Sequence, residues 1–212
     1  MDFNSFKQSV KHEVNHNLPG ENAHSHVMPS NRPFTSKSLA SKPEYKKSAV
    51  GIVLYPESTT ANCILIERPS YDGAHSGQIS FPGGKMDLGD PHLEYTARRE
   101  CFEEISLPMD SGQLIGRLTD VYIPVSNFLM SPFVFSLEER PILKPDEREV
   151  DSIIEFDILQ LLEEKRLKTM DMKLGERFTQ KNVPYFDING HVVWGATAMV
   201  LSEFREIIKG IL

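Results

Sequence analysis

Three carboxylates, Glu100, Glu103 and Glu104, lie at i, i+3 and i+4 in the stretch Arg99-Glu100-Cys101-Phe102-Glu103-Glu104, which follows the glycine pair Gly83-Gly84. If the stretch is helical, a turn of about 100° per residue puts all three on one face. Like charges four residues apart repel by roughly 0.2–0.5 kcal/mol per pair. The positions four residues on hold Glu104, Leu107 and Pro108, so no Lys or Arg follows to relieve them. A cluster of oxygen donors on a rigid helix suits a hard divalent cation, which prefers carboxylates and water. A solvated acidic face is the ordinary fate of such a run. The glycine pair upstream and the adjacent Arg99 favour the metal reading.

A helix over residues 93–105 must present these groups, with Asp90 as its N-cap and Pro91 at its first position. Upstream, residues 49–55 and 61–67 are rich in Val, Ile and Leu and read as a hairpin of two strands. Residues 77–81 form a short strand running into Pro82-Gly83-Gly84. Downstream, strands are expected over 114–122, 132–137 and 150–156, and a second helix over 158–165. Residues 185–188 and 191–194 flank Asn189-Gly190, a strong hairpin signal. A closing helix from about Ala196 carries Val200, Phe204, Ile207 and Ile208 as its buried stripe.

Strands joined mostly as hairpins and mixed with three helices indicate an α+β architecture, an α/β/α sandwich with a mixed sheet between helices. The order is not the repeating βαβ of a doubly wound fold. Residues 47–212 read as one domain. Residues 1–46 read as an N-terminal helix, with Phe3, Phe6, Val10 and Val14 on its apolar face, and an extended arm ordered where it packs on the body. His16, His24 and His26 lack a fixed spacing on an element and read as solvent-facing.

The net charge of −7 argues against a general nucleic-acid or anionic-membrane binder, and it means that an anionic substrate would need cations at the site. Cys63 and Cys101 fall inside apolar segments and read as reduced, buried thiols. No apolar run approaches the roughly 20 residues of a membrane span, and the first residues lack the basic start and apolar core of a secretory signal. A cytoplasmic setting is expected. An arm of this kind is compatible with packing across a partner in a homodimer.

The segment from Gly83-Gly84-Lys85-Met86-Asp87 to Ala97-Arg98-Arg99-Glu100-Cys101-Phe102-Glu103-Glu104-Ile105 resembles the signature of Nudix hydrolases. Ser106 stands where that signature has glycine, and the spacing between Gly84 and Arg99 is one residue longer than the general pattern. The longer spacing resembles the coenzyme A pyrophosphatase branch. So does the approach to the signature, Leu65-Ile66-Glu67-Arg68 leading to Gly77-Gln78-Ile79-Ser80-Phe81-Pro82-Gly83-Gly84. Gly73 stands where that branch places a second Arg, and Pro69 where Ser or Ala is usual.

The resemblance implies a hydrolase that cleaves a nucleoside diphosphate derivative by attack of water on phosphorus, with Mg²⁺ or Mn²⁺ relieving the charge of the diphosphate. It assigns Glu100 and Glu104 as primary metal ligands, Glu103 as the third carboxylate, and a carbonyl of Gly83 or Gly84 as a further oxygen. Arg99 would hold the acidic cluster in place. Arg68 is the candidate phosphate contact, because Arg offers a rigid fork of donors. His75 reads either as a substrate contact or as a residue satisfying its loop. The general base is open between a signature carboxylate and Glu147 or Glu149. The substrate implied is coenzyme A or an acyl ester, split into 3′,5′-ADP and 4′-phosphopantetheine. The alternatives are ADP-ribose, NADH or dinucleoside polyphosphates as substrate. From another class, a non-catalytic nucleotide-sensing module is disfavoured by the intact carboxylates.

Overall fold

Residues 48–55 are buried without interruption, so this segment has no polar face to show to water and must be a central strand covered on both sides. The computed structural model describes residues 1–29, 32–41, 44–57, 60–70, 77–173 and 179–212. Helices α1 (Phe3–His16), α2 (Glu21–Ser25) and α3 (Thr35–Ser41) precede β1 (Lys46–Glu57), β2 (Thr60–Glu67), β3 (Ile79–Ser80) and β4 (Gly83–Lys85). Helix α4 (Leu93–Ile105) is followed by β5 (Gln113–Arg117), β6 (Val121–Ile123), β7 (Phe128–Ser136) and β8 (Ser152–Asp157). Strands β9 (Leu167–Lys173), β10 (Thr179–Ile188) and β11 (His191–Trp194) lead into α5 (Gly195–Ile211).

The main sheet is mixed. Strand β1 runs parallel to β7, from Lys46 opposite Phe128 to Leu54 opposite Ser136, and antiparallel to β2 and β4. The path β3-β2-β1-β7-β5 carries β8 on β2 and β6 on β7, and a separate antiparallel sheet has the order β11-β10-β9.

Alternation along β1 divides the core between two layers. Val50, Ile52 and Leu54 meet Phe6, Val10 and Val14 of α1 and Val200, Phe204 and Ile208 of α5. Val53 and Tyr55 face the other way and meet Cys101 and Ile105 of α4. Each such buried side chain contributes about 1.5–3 kcal/mol relative to leaving it exposed. Gly51 lets α4 approach: a Cβ there would lie 2.5 Å from Cys101 Sγ. The expected α+β sandwich, a mixed sheet between helices, is the observed architecture. Both cysteines are free and buried. No helix among the described residues is long and apolar enough to cross a membrane.

Several local expectations change. The helix expected over 158–165 is two 3-10 turns, Ile158–Leu162 and Glu164–Arg166, separated by Glu163 in an extended conformation at φ −74° and ψ 111°. The strand expected over 114–122 divides into β5 and β6, because Leu118 N–H turns to the Pro132 carbonyl. Strand β9 was not expected, since most of its residues are exposed and offer no apolar alternation. The stretch expected as an extended arm contains α2 and α3.

His24, expected to face solvent, is fully buried, with Nε2 3.1 Å from Glu203 Oε2. Glu203, on an otherwise apolar face of α5, also accepts from Gly20 N–H, Thr119 N–H and the Thr119 hydroxyl. This pairing fastens α2 to α5. Its signal in the sequence was the carboxylate inside α5's buried stripe, which needs a partner from elsewhere.

Candidate active site

Helix α4 begins at its expected residue, but His92 rather than Asp90 is the N-cap, its ring accepting from Tyr95 N–H at 3.2 Å. Asp90 is released for another task. Its carboxylate is nearly enclosed, and accepts from Arg99 Nε at 3.0 Å and Nη2 at 2.9 Å, from Thr96 Oγ1 at 2.9 Å and from Asp87 N–H at 3.0 Å. The Arg99 guanidinium, together with the Asp87 and Thr96 donors, holds this carboxyl down at about 2 against the opposing effect of burial.

Arg99 binds more groups than expected. Besides Asp90 it donates to Glu100 Oε1 at 2.9 Å, Glu103 Oε2 at 2.8 Å and the Lys85 carbonyl at 3.0 Å. The acidic cluster is therefore not without a cation, contrary to the reading from positions four residues on. The compensating charge sits one residue before Glu100 and four before Glu103.

The carboxylates separate by position around the helix. At about 100° per residue Glu103 lies about 40° from Arg99 but about 100° from Glu104. Glu103 accordingly turns to Arg99 and is 46 % exposed in its side chain, whereas Glu100 and Glu104 are buried. Glu104 Oε2 accepts from Gly83 N–H at 2.7 Å, and Arg68 Nη1 stands 3.6 Å from Glu104 Oε1. Glu100 lies against Gly84 so closely that a Cβ there would be 2.5 Å from Oε1. Only glycine admits this approach of backbone and carboxylate. Burial pushes the Glu104 carboxyl up to about 8 despite Gly83 and Arg68, and pushes Glu100 upward as well.

Glu149 contributes to both upward shifts, so its charge reaches the pair. Its loop is tied to the end of α4: Lys144 N–H donates to the Ile105 carbonyl at 3.1 Å and Asp146 N–H to that of Glu104 at 3.0 Å. Ser106 takes the left-handed conformation, φ 59°, at the C-cap, and its hydroxyl donates to the Lys144 carbonyl at 3.0 Å. Serine here bears the strain that glycine would avoid, and gains a bond to the acidic loop. Glu147 is exposed on the same loop.

Arg68 enters from the end of β2 with its Nε buried and without a partner among the described residues. A buried guanidinium donor left open, about a third of the side chain reaching solvent, suits an anion not supplied by the protein. His75 and Gly73 lie outside the described residues.

The site is thus two enclosed carboxylates against a double glycine, a third carboxylate on a docked loop, and an Arg whose Nε has no partner among the described residues. The donor set is all oxygen. Among the described residues no three His, Cys, Asp or Glu side chains close into a cage.

This arrangement sits on the α+β sandwich that the Nudix resemblance implies, and the comparisons give the class as a hydrolase. The NUDIX domain model matches residues 45–177, and the chain belongs to the Nudix hydrolase family. It is 31 % identical over 156 residues to the protein named uncharacterized Nudix hydrolase NudL of Pectobacterium atrosepticum, covering 73 % of this chain and 77 % of that one. It is 34 % identical over 134 residues to the human mitochondrial coenzyme A diphosphatase NUDT8, covering 62 % of this chain and 56 % of that one. In structure it resembles the Nudix hydrolase RenU of M. smegmatis, with a TM-score of 0.55 and 14 % identity over 79 % of this chain and 88 % of the other. That last likeness concerns the fold.

Proposed function

We propose that the chain is a Mg²⁺- or Mn²⁺-dependent diphosphatase that hydrolyses coenzyme A or acyl-coenzyme A to 3′,5′-ADP and (acyl-)4′-phosphopantetheine. The observation that carries the hydrolytic reading is the buried pair Glu100 and Glu104, lodged against Gly83-Gly84 beside the open Arg68 donor. The coenzyme A reading is supported by the block from Gly77 to Gly84, by the lengthened spacing to Arg99 and by the similarity to the human diphosphatase.

In this reading Glu100 and Glu104 hold the divalent cation with a carbonyl of the double glycine, and Glu103 serves Arg99 instead. The cation, when bound, neutralises diphosphate oxygens and activates water. Arg99, anchored by Asp90, fixes Glu100. Arg68 receives a phosphate oxygen on its free donor. Glu149 is the carboxylate we assign to removing the proton from the attacking water, because its loop is docked on α4 and its side chain is exposed enough to meet solvent. Glu147 lacks a comparable influence on the pair.

The test is a parallel assay of coenzyme A, ADP-ribose, NADH and diadenosine polyphosphates, with and without Mg²⁺. Metal-dependent cleavage of coenzyme A at the diphosphate is expected, lost in excess chelator. No turnover of any member of the panel would overturn the diphosphatase reading. Faster cleavage of ADP-ribose or NADH would overturn the coenzyme A assignment alone, and would fit Gly73 at the place of the branch's second Arg.

A further inference from the structure

Helix α1 carries two histidines one turn apart, His12 and His16, on the face of the sheet opposite α4. Their rings stack with centroids 4.7 Å apart and planes 25° from parallel. Each ring's Nδ1 is committed. His16 Nδ1–H donates to the His12 carbonyl at 2.8 Å, and His12 Nδ1–H to Glu13 Oε1 at 3.2 Å. A carbonyl and an ionised carboxylate only accept, so the proton of each neutral ring sits on Nδ1 and the lone pair on Nε2. An imidazole that donates through one nitrogen to oxygen keeps the other free to ligate a metal, and a turn of the stacked ring planes would bring both Nε2 atoms onto one cation. Two histidines at i and i+4 on one helical face form a recurrent pair of metal ligands.

The helix holding the pair is firmly placed. Asn15 Nδ2 donates to the Ile115 carbonyl at 2.9 Å, and α1 sits so near β5 that a Cβ on Gly116 would lie 2.5 Å from Val14 Cγ1. Both rings are exposed at the edge of an open groove of about 620 Å³ between α1 and β5, bordered by Lys11, Asn15, Leu114 and Gly116. Little backbone ordering therefore remains to be done on binding.

We propose that His12 and His16 form a bis-imidazole site for a borderline divalent transition cation, Zn²⁺ or Cu²⁺, with water completing the coordination. Nitrogen ligation selects against the hard cations that suit the all-oxygen cluster on α4, so the two sites would hold different metals. Two protein ligands make an exchangeable site rather than a closed structural one. Because α1 contributes Phe6, Val10 and Val14 to the core, a cation bound to the folded helix alone stabilises its docking.

The test is calorimetric titration of the full chain with Zn²⁺ in millimolar Mg²⁺, which occupies oxygen sites. One saturable Zn²⁺ site is expected. His12→Ala and His16→Ala should each weaken it at least about tenfold, since even partners of metal ligands are worth that much. His26→Ala, an exposed histidine outside the pair, should leave it unchanged. Alanine is the best helix former, so α1 persists in both variants, and Mg²⁺-dependent turnover should stay at the wild-type rate. Cu²⁺ bound to the wild-type chain should show nitrogen coupling in its paramagnetic resonance spectrum that is lost in the double variant. Absence of saturable Zn²⁺ binding, or binding unchanged in both single variants, would overturn the proposal. So would loss of the site in Glu104→Gln with both histidines intact.

Discussion

Asp90→Asn isolates the charge that anchors Arg99, and its cost can be worked from the structure. The Asp90 side chain is 3 % exposed and its carboxyl is held at about 2, against an ordinary 3.8. At about 1.36 kcal/mol per unit, the native state favours the ionised form by about 2 kcal/mol. Removing one partner of a buried pair can cost 3–5 kcal/mol when the other is left uncompensated, but Arg99 keeps Glu100 and Glu103. The loss should therefore stay near about 2 kcal/mol at neutral pH. For a chain of this length that is a fall in Tm of roughly 4–8 °C.

The sign of the pH dependence follows from the lowered value. A carboxyl more acidic folded than unfolded contributes fully above the unfolded value, and the contribution disappears as pH falls through the folded one. The stability gap between wild type and Asp90→Asn should be constant from neutral pH to about 5 and shrink to roughly half by about pH 3. Urea unfolding of both proteins across that range measures it. Arg99, freed from Asp90, should also drift from Glu100 and lower kcat by about tenfold. A gap that stays constant down to pH 3, or a variant as stable as wild type at pH 7, would refute the anchor.

Glu100→Gln and Glu104→Gln should each lower kcat at least about 100-fold with the fold intact, because they remove charge toward the cation and keep shape; near-wild-type rates in saturating Mg²⁺ would contradict this, and circular dichroism checks the fold. Gly84→Ala places a Cβ 2.5 Å from Glu100 Oε1 and should displace that carboxylate, raising the Mg²⁺ concentration for half-maximal activity about tenfold or more. An unchanged Mg²⁺ requirement would show that Gly84 does not shape the site. Arg68→Ala should lower kcat/KM for coenzyme A by about 10- to 100-fold, the worth of one charge-assisted phosphate bond; a smaller loss than about threefold would remove Arg68 from the substrate.

The sequence was most legible where one signal sufficed. The apolar strand expected over 49–55, the Asn189-Gly190 hairpin and the stripe of α5 depend on local pattern, and each is found as expected. The carboxylates of α4 were visible for the same reason. What escaped the reading depends on contacts between distant segments. Asp90 looks like a helix cap because Asp before Pro is a good cap, but capping by His92 leaves it for Arg99. The sequence offers Glu147 and Glu149 alike, and the tie of their loop to the end of α4 by Lys144 and Asp146 is a contact between segments about 40 residues apart. His24 and Glu203 are 179 residues apart, so the carboxylate in α5's buried stripe shows that a partner is needed but not which residue supplies it. Strand β9 exists because β10 pairs with it, not because its own residues alternate.

These particulars also explain how one helix serves as core element and ligand bearer at once. Residues four apart drift by only about 40° around a helix, so i+4 series form nearly parallel stripes. Ala97, Cys101 and Ile105 make the innermost stripe and pack on the sheet. Thr96, Glu100 and Glu104 lie one residue earlier at every step. Their stripe is buried at the rim, where Glu100 and Glu104 meet the double glycine and Thr96 donates to Asp90. Arg99 and Glu103 form the next stripe, closer to solvent, and hold the second stripe from outside. Burying two carboxylates on the middle stripe costs stability that nothing on α4 alone recovers. Gly83, Arg68 and Arg99 offset part of it, and in the proposed function a divalent cation offsets more. The packing of the inner stripe on the sheet thus offsets the cost of keeping carboxylates on the middle stripe, which is how α4 can be a core element and carry the proposed ligands together.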